Sequence, residues 1–321
     1  MKPTSISVVV PTFNSADVLP QTLRSILEQK NVPGLEVLVI DDGSTDGTAE
    51  VVGALEDPRL RYVRREHTGG PAAPRNTGVR MASGMLIGLC DADDPLQPGV
   101  LAAAVQALDA DPRVALTFTD FARMDEQGCN VGPRLLGAFT GFVRLSRESI
   151  GPGMFRIPSP EAYGCLLEEN FIRTSGLVVR AEILSQVGPF DESLENGDDK
   201  DMWLRITRLH DVAYLDRVGF HYRDRSGSIS RRGGRLARSR IRVLEKQLEP
   251  GDLAPELVTR VRRQIARNLV ALAFDRQQAG ATREARSYYG KSLAHHVQWP
   301  AIRGWLTCLA GPLYSTLKGK R

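Results

Sequence analysis

Residues 85–94 read Met-Leu-Ile-Gly-Leu-Cys-Asp-Ala-Asp-Asp, an apolar run that passes directly into three carboxylates. The apolar part, Met85–Leu89, predicts a short buried strand, with a glycine before it and a proline after the acids. Three acids at the end of a strand repel one another, so they need a counter-charge. Their hard oxygen atoms suit Mg²⁺ or Mn²⁺. The alternative is an acidic loop that caps the helix expected after Pro98.

Apolar strand patterns alternate with amphipathic helix patterns on both sides of this stretch. Strands are expected at residues 6–10, 36–40, 60–63, 85–89, 114–118 and 176–179. Strands that are apolar throughout and alternate with helices indicate a mostly parallel sheet flanked by helices on both faces. The sequence therefore predicts an α/β fold in which a ligand binds beyond the carboxyl ends of the strands.

Three further segments lie within this α/β pattern. Residues 76–82 and 198–210 are expected to be helical because their apolar side chains recur with a helical period. Residues 120–160 are rich in glycine and proline and show no clear period. We expect residues 120–160 to form a long loop over the ligand pocket.

Late in the chain the pattern changes to helices alone, and residues 258–295 predict a helical hairpin. We therefore expect an α/β domain at 1–230 and a C-terminal helical extension at 231–321. The charge changes near the same place, because residues 223–321 hold 21 Lys and Arg against 7 Asp and Glu, whereas the rest hold 21 against 31. A basic extension favours an anionic membrane surface or nucleic acid as a partner, and a solvated helical face is the alternative.

The composition argues against several classes of protein. Four widely spaced cysteines without a CxxC pair argue against a disulfide framework or a structural zinc site, and favour a reducing compartment. The N-terminal residues lack the pattern of a signal peptide. No window approaches the roughly 18 apolar residues that a membrane span requires. We expect a cytoplasmic protein.

Polar residues follow the first two strands, at the edge where the acids of residues 91–94 are expected. Pro11-Thr12-Phe13 follows the first strand, and Asp41-Asp42-Gly43-Ser44 follows the second. A carboxylate accepts hydrogen bonds from a base N–H or a ribose hydroxyl, although Asp-Gly is also a common turn. Because the carboxyl ends of parallel strands meet at one edge of a sheet, we expect one pocket to collect all three segments.

Two charged segments lie outside these strand ends. Arg75 precedes a predicted helix, and its planar guanidinium suits a phosphate or a base carbonyl, whereas a surface arginine is the alternative. Residues 198–203 read Asp-Asp-Lys-Asp-Met-Trp. A carboxylate beside an apolar, aromatic surface can have a raised pKa and serve as a general base. The alternative is an acid-rich helix N-terminus, which the helix dipole favours.

In their order and spacing, these segments resemble the family 2 glycosyltransferases of the GT-A fold. The resemblance is carried by Val8–Asn14, Asp41–Ser44, Arg75–Gly78, Asp91–Asp94, Gly188–Glu192 and Asp199–Arg205. The resemblance covers roughly residues 5–230. It implies an inverting transferase that takes a sugar from a nucleotide-sugar donor, usually a uridine diphosphate (UDP) sugar, in bacterial polysaccharide assembly.

The resemblance also implies residues that bind the donor. Those implied for the nucleoside pocket are Pro11, Thr12, Phe13 and Asp42, assisted by Arg75. Asp91 is implied near the ribose, and Asp93 as the ligand of the Mg²⁺ or Mn²⁺ ion that holds the diphosphate. Arg225 stands where many members have a histidine ligand, and it is expected to stabilise the diphosphate directly.

On the acceptor side, the resemblance implies that Asp199 is the general base, with Asp201 beside it and Trp203 beneath the acceptor site. Asp198 stands where the family often has glutamate, which leaves Asp198 and Asp201 as alternative bases. Pro74 stands where the family usually has alanine, so the helix after it is expected to begin a turn later.

The acceptor implied is a saccharide or a lipid-linked saccharide. The apolar and aromatic residues between 299 and 317 are followed by Lys318, Lys320 and Arg321, a pattern that suits a helix on the anionic inner face of the cell membrane. Packing against the catalytic domain is the alternative.

Three other functions fit parts of the sequence. A catalytically inactive nucleotide-sugar-binding regulator is one, although the intact acid clusters argue against it. Nucleic-acid binding through Arg231–Arg242 is disfavoured, because that run has no aromatic residue for base stacking. A nucleotidyltransferase is disfavoured because no glycine-rich, basic triphosphate loop follows the first strand.

Overall fold

The computed structural model describes residues 5–128, 130–225 and 233–318, with the side chains of 130–131, 233–235 and 310–318 excepted. The chain divides into two compact units, Met1–Gly227 and Ser228–Arg321. The domain boundary predicted between residues 230 and 231 lies outside the described residues. So do the first two arginines of the run at 231–242 and the predicted membrane-facing side chains beyond residue 309.

The strands of the first unit form one mixed sheet. They are β1 Ile6–Thr12, β2 Leu35–Asp41, β3 Leu60–Arg64, β4 Leu86–Leu89, β5 Val114–Met124, β6 Asn130–Arg134, β7 Glu148–Gly151, β8 Met154–Ile157, β9 Leu177–Arg180 and β10 Asp211–Arg223. Their order is β3-β2-β1-β4-β9-β5-β10-β8-β7, with β6 paired to β5. β1 is parallel to β2 and β4, and β10 is parallel to β5. β9 runs antiparallel between β4 and β5.

Helices accompany this sheet. They are α1 Leu19–Leu27, α2 Thr48–Gly53, α3 Ala72–Met81, α4 Val100–Ala110, α5 Thr140–Val143, α6 Ser159–Glu168, α7 Ala181–Val187 and α8 Asp198–Thr207, with a short 3-10 helix at Leu136–Ala138. β1 and β4 are buried along their whole length, as expected for apolar strands covered on both faces. The mixed, mostly parallel sheet with its helices confirms the predicted α/β fold.

Helix α3 begins at Ala72, four residues before the predicted start. Pro74 is accommodated in the first turn, where a missing N–H group costs no intrahelical hydrogen bond. The prediction that Pro74 delays the helix is therefore wrong. Gly78 allows α3 to pack directly on β1, because a Cβ atom there would lie 2.3 Å from Val9 Cγ1. This close packing fixes the position of Arg75, which lies one turn before Gly78.

Residues 120–160 are not the single long loop that the sequence predicts. Strand β5 continues to Met124, and the segment then contains β6, α5 and the antiparallel hairpin of β7 and β8. Arg156 on β8 pairs with Glu148 on β7 and with Asp211 on β10. Partners so far apart in the sequence leave no local signal, and the short strands leave no clear period.

Each secondary-structure element in the described part of the second unit is a helix. Its helices are α9 Gly233–Leu248, α10 Pro255–Gln278, α11 Thr282–His295 and α12 Trp299–Lys318. The predicted hairpin of α10 and α11 forms, and Gly280 provides its turn with a φ of +77°. A small core joins α10, α11 and α12 through Ala273, Tyr289 and Cys308. Over the described residues, no helix combines the length and the apolar character needed to cross a membrane.

Candidate active site

The predicted site residues gather at one edge of the sheet. In the parallel register, Thr12 at the end of β1 lies beside Asp41 at the end of β2, and Leu89 at the end of β4 follows on the other side of β1. Because β9 is reversed, its first residue, Leu177, pairs with Leu89 at the same edge. The segment that precedes β9 therefore emerges next to the acids that follow β4.

An exposed aromatic face lies beyond the end of β1. Phe13 is 43% exposed and stacks on the ring of His67, with centroids 4.1 Å apart. Pro11 and Thr12 are buried behind it. The Thr12 hydroxyl has no hydrogen-bond partner among the residues that the structure describes. Phe13 thus offers the flat apolar surface on which a nucleobase can stack.

Asp42 is buried and organises the loop that carries His67. Its carboxylate accepts hydrogen bonds from the Thr68 N–H at 2.9 Å, the Thr68 hydroxyl at 2.8 Å and the Gly69 N–H at 3.2 Å. His67 Nδ1 lies 3.0 Å from Asp42 Oδ2. In this structure Asp42 therefore shapes the wall behind Phe13, and its role in reading a base stays a prediction.

Arg75 joins two acidic segments that are far apart in the sequence. Its guanidinium donates to Asp91 Oδ1 and to Asp198 Oδ2, both at 2.7 Å, and its side chain is almost fully buried. Burial lowers the pKa of Arg75, but the charges of Asp198, Asp91 and Asp199 outweigh burial and raise the pKa above its ordinary value. The structure therefore corrects the expected place of Arg75: it lies between Asp91 and α8 and pairs with neither Asp42 nor its loop in the contacts described.

The three acids after β4 have different environments. Asp91 is 37% exposed and pairs with Arg75. Asp94 is buried, accepts the Ser175 hydroxyl at 2.7 Å and the Arg223 N–H at 3.1 Å, and so ties the acidic turn to the segment before β9 and to β10. Burial and then the charge of Asp91 raise the pKa of Asp93 to about 6. Burial and the charges of Asp93 and Asp91 raise the pKa of Asp94 as well, but both Asp94 oxygens already accept hydrogen bonds from the protein, which leaves Asp93 as the better candidate for a cation ligand.

Arg225 lies close enough to Asp93 for its positive charge to lower the pKa of that carboxyl. Its guanidinium also lies 3.0 Å from Asp17 Oδ2. Arg223, two residues earlier, is buried, and its side chain donates to the backbone carbonyl of Asp93 at 3.3 Å. The end of β10 thus brings two guanidinium groups to the acidic turn.

Helix α8 begins with the second acidic cluster. Asp198 is buried against Arg75, whereas Asp199 is partly exposed at the same helix end. Asp199 Oδ1 accepts the Lys200 N–H at 2.7 Å, and Asn170 Nδ2 lies 3.4 Å from Asp199 Oδ2. Of the three acids in the first turn, Asp199 is the one whose carboxylate is neither fully buried nor ion-paired in the contacts described.

Asp201 and Trp203 are fully buried. Asp201 pairs with Arg205 one turn later, at 3.0 Å. Trp203 packs edge-on against Phe190, with ring centroids 6.1 Å apart. Both side chains therefore support α8 from beneath, and the structure does not present Asp201 to an acceptor as the sequence predicts.

Residues 7–162 match the family model described as "Glycosyl transferase family 2". Residues 7–162 therefore belong to glycosyl transferase family 2. Over 228 residues, 70% of this chain, the protein is 28% identical to the succinoglycan biosynthesis protein ExoO of Rhizobium meliloti. It is also 27% identical over 256 residues, 78% of this chain and 81% of the relative, to the glycosyltransferase GlyG of Streptococcus pneumoniae.

The matches cover different shares of the relatives. This chain spans 62% of the length of ExoO and 20% of the length of the chondroitin synthase of Pasteurella multocida, to which it is 27% identical. Two solved structures share its fold. One is S. aureus TarS 1-349 in complex with UDP-GlcNAc, with a TM-score of 0.64 and 18% identity over 95% of this chain and 90% of that chain. The other is the mannosyltransferase PcManGT from Pyrobaculum calidifontis, with a TM-score of 0.61 and 21% identity over 99% and 83%. The fold of this chain is thus the predicted GT-A fold.

The candidate site suits a metal ion that takes only one or two carboxylate ligands from the protein. Among the described residues, no cluster of three or more His, Cys, Asp or Glu side chains is arranged to hold a metal. Mg²⁺ at nucleotide sites takes one or two carboxylates, and phosphates and waters fill its other positions. Asp93 fits that donor set, because its charge is poorly compensated by the protein. The chain therefore offers a carboxylate for a cation whose other ligands come from a bound diphosphate.

Sequence reasoning missed the segment that precedes β9. Asn170 contacts Asp199, and Ser175 accepts the Asp91 N–H at 3.1 Å while its hydroxyl donates to Asp94. No local pattern marks these two residues as part of the transferase site. The one signal was indirect: an antiparallel β9 beside β4 would have placed residues 170–176 at the carboxyl edge.

Proposed function

We propose that this protein is an inverting, metal-dependent glycosyltransferase. It transfers a sugar from a nucleotide-diphosphate donor, a UDP-sugar, to an acceptor hydroxyl in polysaccharide or glycolipid assembly. One observation carries the proposal: Arg75 holds Asp91 and Asp198 at 2.7 Å each, so the acids after β4 and the acids of α8 face the same cleft. A donor bound at one cluster is then within reach of a base in the other.

Asp199 is proposed as the general base. In an inverting displacement, one carboxylate takes the proton of the acceptor hydroxyl as its oxygen attacks the anomeric carbon and the bond to the diphosphate breaks. Asp199 suits this role better than its neighbours, because Asp198 is paired with Arg75 and Asp201 with Arg205, and both are buried. The partial exposure of Asp199 lets an acceptor reach it.

The donor is proposed to lie between Phe13 and the acidic turn. Phe13 stacks on the nucleobase, and Asp42 and Arg75 hold the walls of the cleft. Asp93 would hold a Mg²⁺ or Mn²⁺ ion, which when bound neutralises the negative charge of the departing diphosphate. Arg225 adds a second positive charge beside Asp93. The complexes of TarS with UDP-GlcNAc and of PcManGT with GDP-Man and Mn²⁺ support a nucleotide-sugar donor and a divalent cation.

The acceptor is proposed to be a saccharide or a lipid-linked saccharide, and the protein to act in the cytoplasm, peripherally at the inner face of the cell membrane. The name of ExoO supports polysaccharide assembly. Helix α12 presents Trp299 and Leu306, which are 70% and 52% exposed, on a unit with excess positive charge. Exposed apolar side chains on a basic helix suit an anionic lipid surface.

Release of nucleoside diphosphate tests the proposal. The protein is incubated with UDP-glucose, UDP-galactose, UDP-GlcNAc and GDP-mannose, each with Mn²⁺, with Mg²⁺ or with a chelator, and the diphosphate released is measured. We expect release from a UDP-sugar, loss of release with the chelator, and loss in Asp93→Asn but not in Asp275→Asn, an exposed aspartate on α10. Binding of a donor without release would favour the inactive regulator. A protein that neither binds a donor nor releases diphosphate would contradict the proposed function.

A further inference from the structure

The segment Asn170–Ser175 contacts both acidic clusters, as Arg75 does. At one end, Ser175 accepts the Asp91 N–H at 3.1 Å and donates to Asp94 at 2.7 Å. At the other end, Asn170 Nδ2 lies 3.4 Å from Asp199 Oδ2. Ser175 is buried and Asp94 is buried, so the segment is anchored firmly to the acidic turn. Asn170 is thereby held at a fixed place beside Asp199.

The orientation of the Asn170 amide is set by Asp199. An ionised carboxylate only accepts hydrogen bonds, so the NH₂ group of Asn170 must face Asp199 and its carbonyl oxygen must point away. That carbonyl oxygen, Oδ1, is buried and has no hydrogen-bond partner among the described residues. Leaving a buried acceptor unpaired is unfavourable, and such exceptions call for an explanation in function. The contact with Asp199 supplies that explanation.

The two oxygens of Asp199 are held by different groups. The Lys200 N–H donates to Oδ1 at 2.7 Å, and Asn170 approaches Oδ2 at 3.4 Å. The charged groups around Asp199 are Asp198 on the same helix, Arg75 on α3 and the neighbouring Lys200. Arg75 is already committed to Asp91 and Asp198. Asn170 is therefore the side chain that is placed to fix the rotation of the Asp199 carboxylate.

We propose that Asn170 is a positioning residue for Asp199. It holds the carboxylate in the rotamer that receives the proton of the attacking hydroxyl, and this role rests on the proposed function of Asp199 as the base. Small errors in the placement of a reacting group cost large factors in rate. Loss of the Asn170 donor should therefore lower turnover without changing donor binding.

The isosteric variant Asn170→Asp keeps the shape of the side chain, and Asn170→Ala removes the donor. Both are assayed by diphosphate release from UDP-GlcNAc with water as the acceptor, and by calorimetric binding of UDP. Asn170→Ala should lower kcat roughly tenfold to a hundredfold, with the donor KM and the UDP affinity within about twofold of the unchanged protein. In Asn170→Asp, repulsion between the two carboxylates should turn the Asp199 carboxylate away and lower kcat at least as far. Asn268→Ala, a change on α10, is the matched control.

Two further measurements separate this proposal from the proposed function. In an Asp199→Asn background, Asn170→Ala should lower the rate by less than about twofold, because the group it positions is already changed. ¹³C NMR of the aspartate carboxyls at one fixed pH, with the Asp199 signal assigned through Asp199→Asn, needs no turnover. Loss of the Asn170 donor should move the Asp199 carboxyl signal, whereas Asn268→Ala should leave it in place. An unmoved Asp199 signal in Asn170→Ala, or equal rate losses in both backgrounds, would overturn the proposal. A moved signal in a protein that releases no diphosphate would uphold the contact between Asn170 and Asp199 and contradict the proposed function instead.

Discussion

Arg75 and Asp198 lie 123 positions apart in the sequence and form a buried ion pair with a 2.7 Å contact. The same guanidinium contacts Asp91 at 2.7 Å. Helix α3, the acidic turn after β4 and the start of α8 therefore meet at one side chain. This three-way contact fixes the distance between the donor-side and the acceptor-side acids of the proposed active site.

Arg75→Met should be strongly destabilising. Removal of one partner of a buried ion pair leaves an uncompensated buried charge, which typically costs about 3–5 kcal/mol in the free energy of unfolding. Urea unfolding measures this cost. Arg59→Met is the matched control, because the ion pair of Arg59 with Asp57 has the same 2.7 Å contact but reaches solvent, and ion pairs at the surface contribute at most about 1 kcal/mol. Addition of Asp198→Asn to Arg75→Met should cost less than the sum of the single changes; simple additivity would contradict the coupling.

Asp199→Asn should abolish turnover while leaving the fold and the donor site intact. Loss of a general base typically lowers the rate about 10²- to 10⁴-fold. Asp198→Asn should instead lower the free energy of unfolding, because it breaks the contact with Arg75. Rates of diphosphate release and urea unfolding of both variants distinguish the two roles. A near-normal rate in Asp199→Asn would move the base to Asp198 or Asp201.

Phe13→Ala should weaken the binding of UDP. Stacking of a base on an aromatic ring is worth about 1–3 kcal/mol, which corresponds to a rise in Kd of roughly five- to 150-fold. Phe13→Tyr keeps the ring and should bind nearly normally. Calorimetry provides the measurement, and Phe274→Ala, which removes an exposed phenylalanine from α10, is the control. Equal affinity in Phe13→Ala and the unchanged protein would place the base elsewhere.

Asp93→Asn should stabilise the metal-free protein at neutral pH. The folded protein raises the pKa of this carboxyl from 3.8 to about 6, so the folded state holds the proton more tightly than the unfolded chain does. The free energy of unfolding therefore falls as the pH rises from about 4 to about 6. The variant should have a Tm higher than the unchanged protein at pH 7, by roughly 2–4 °C for each kcal/mol recovered, and the two should converge below pH 4. Thermal melts across this pH range test the direction of the Tm difference between the variant and the unchanged protein.

The same melts with Mn²⁺ and UDP add a second readout. Ligands that bind only the folded state raise its Tm, so the unchanged protein should gain stability and Asp93→Asn should gain little. If Asp93→Asn is less stable than the unchanged protein at pH 7, and Mn²⁺ with UDP stabilises both proteins equally, the placement of the cation at Asp93 is contradicted.

Helix α12 should bind anionic vesicles through its exposed apolar side chains. In a flotation assay, the protein should float with vesicles that contain phosphatidylglycerol but not with pure phosphatidylcholine, because the second unit is basic. Trp299→Ala combined with Leu306→Ala should abolish flotation. Leu209→Ala, which removes a leucine of similar exposure from the first unit, is the matched control. Unchanged flotation of the double variant would exclude this face of α12 as the contact.

The sequence predicts the parts of the fold that depend on local patterns. Apolar runs predict the central strands, and the periodic helices α10 and α11 are predicted almost to the residue. Local patterns fail where distant partners decide the structure, as for the hairpin of β7 and β8, which Arg156 ties to Asp211. They fail also at Pro74, because a proline pattern alone does not say whether its residue lies in a first turn or before one.

The sequence predicts which residues form the site better than it predicts the contacts between them. The acids, Phe13 and Arg75 are all found at one edge of the sheet, because parallel strands end there. Nothing local reveals that Arg75 pairs with Asp198, since a helical arginine gives no sign of a partner 123 positions away. Asn170 is missed for the same reason: its contact with Asp199 depends on the direction of β9, which the three apolar residues of that strand do not disclose.

The antiparallel direction of strand β9 has a consequence for the design of variants of this protein. Strand β5 ends at the carboxyl edge of the sheet at Met124, and the chain returns to that edge at Asn170. Residues 125–169 therefore lie between two fixed points. The residues proposed for the nucleobase and the ribose, Phe13, Asp42 and Asp91, all precede residue 125. Residues 125–169 could accordingly be exchanged for another segment, so that the same donor would serve a different acceptor.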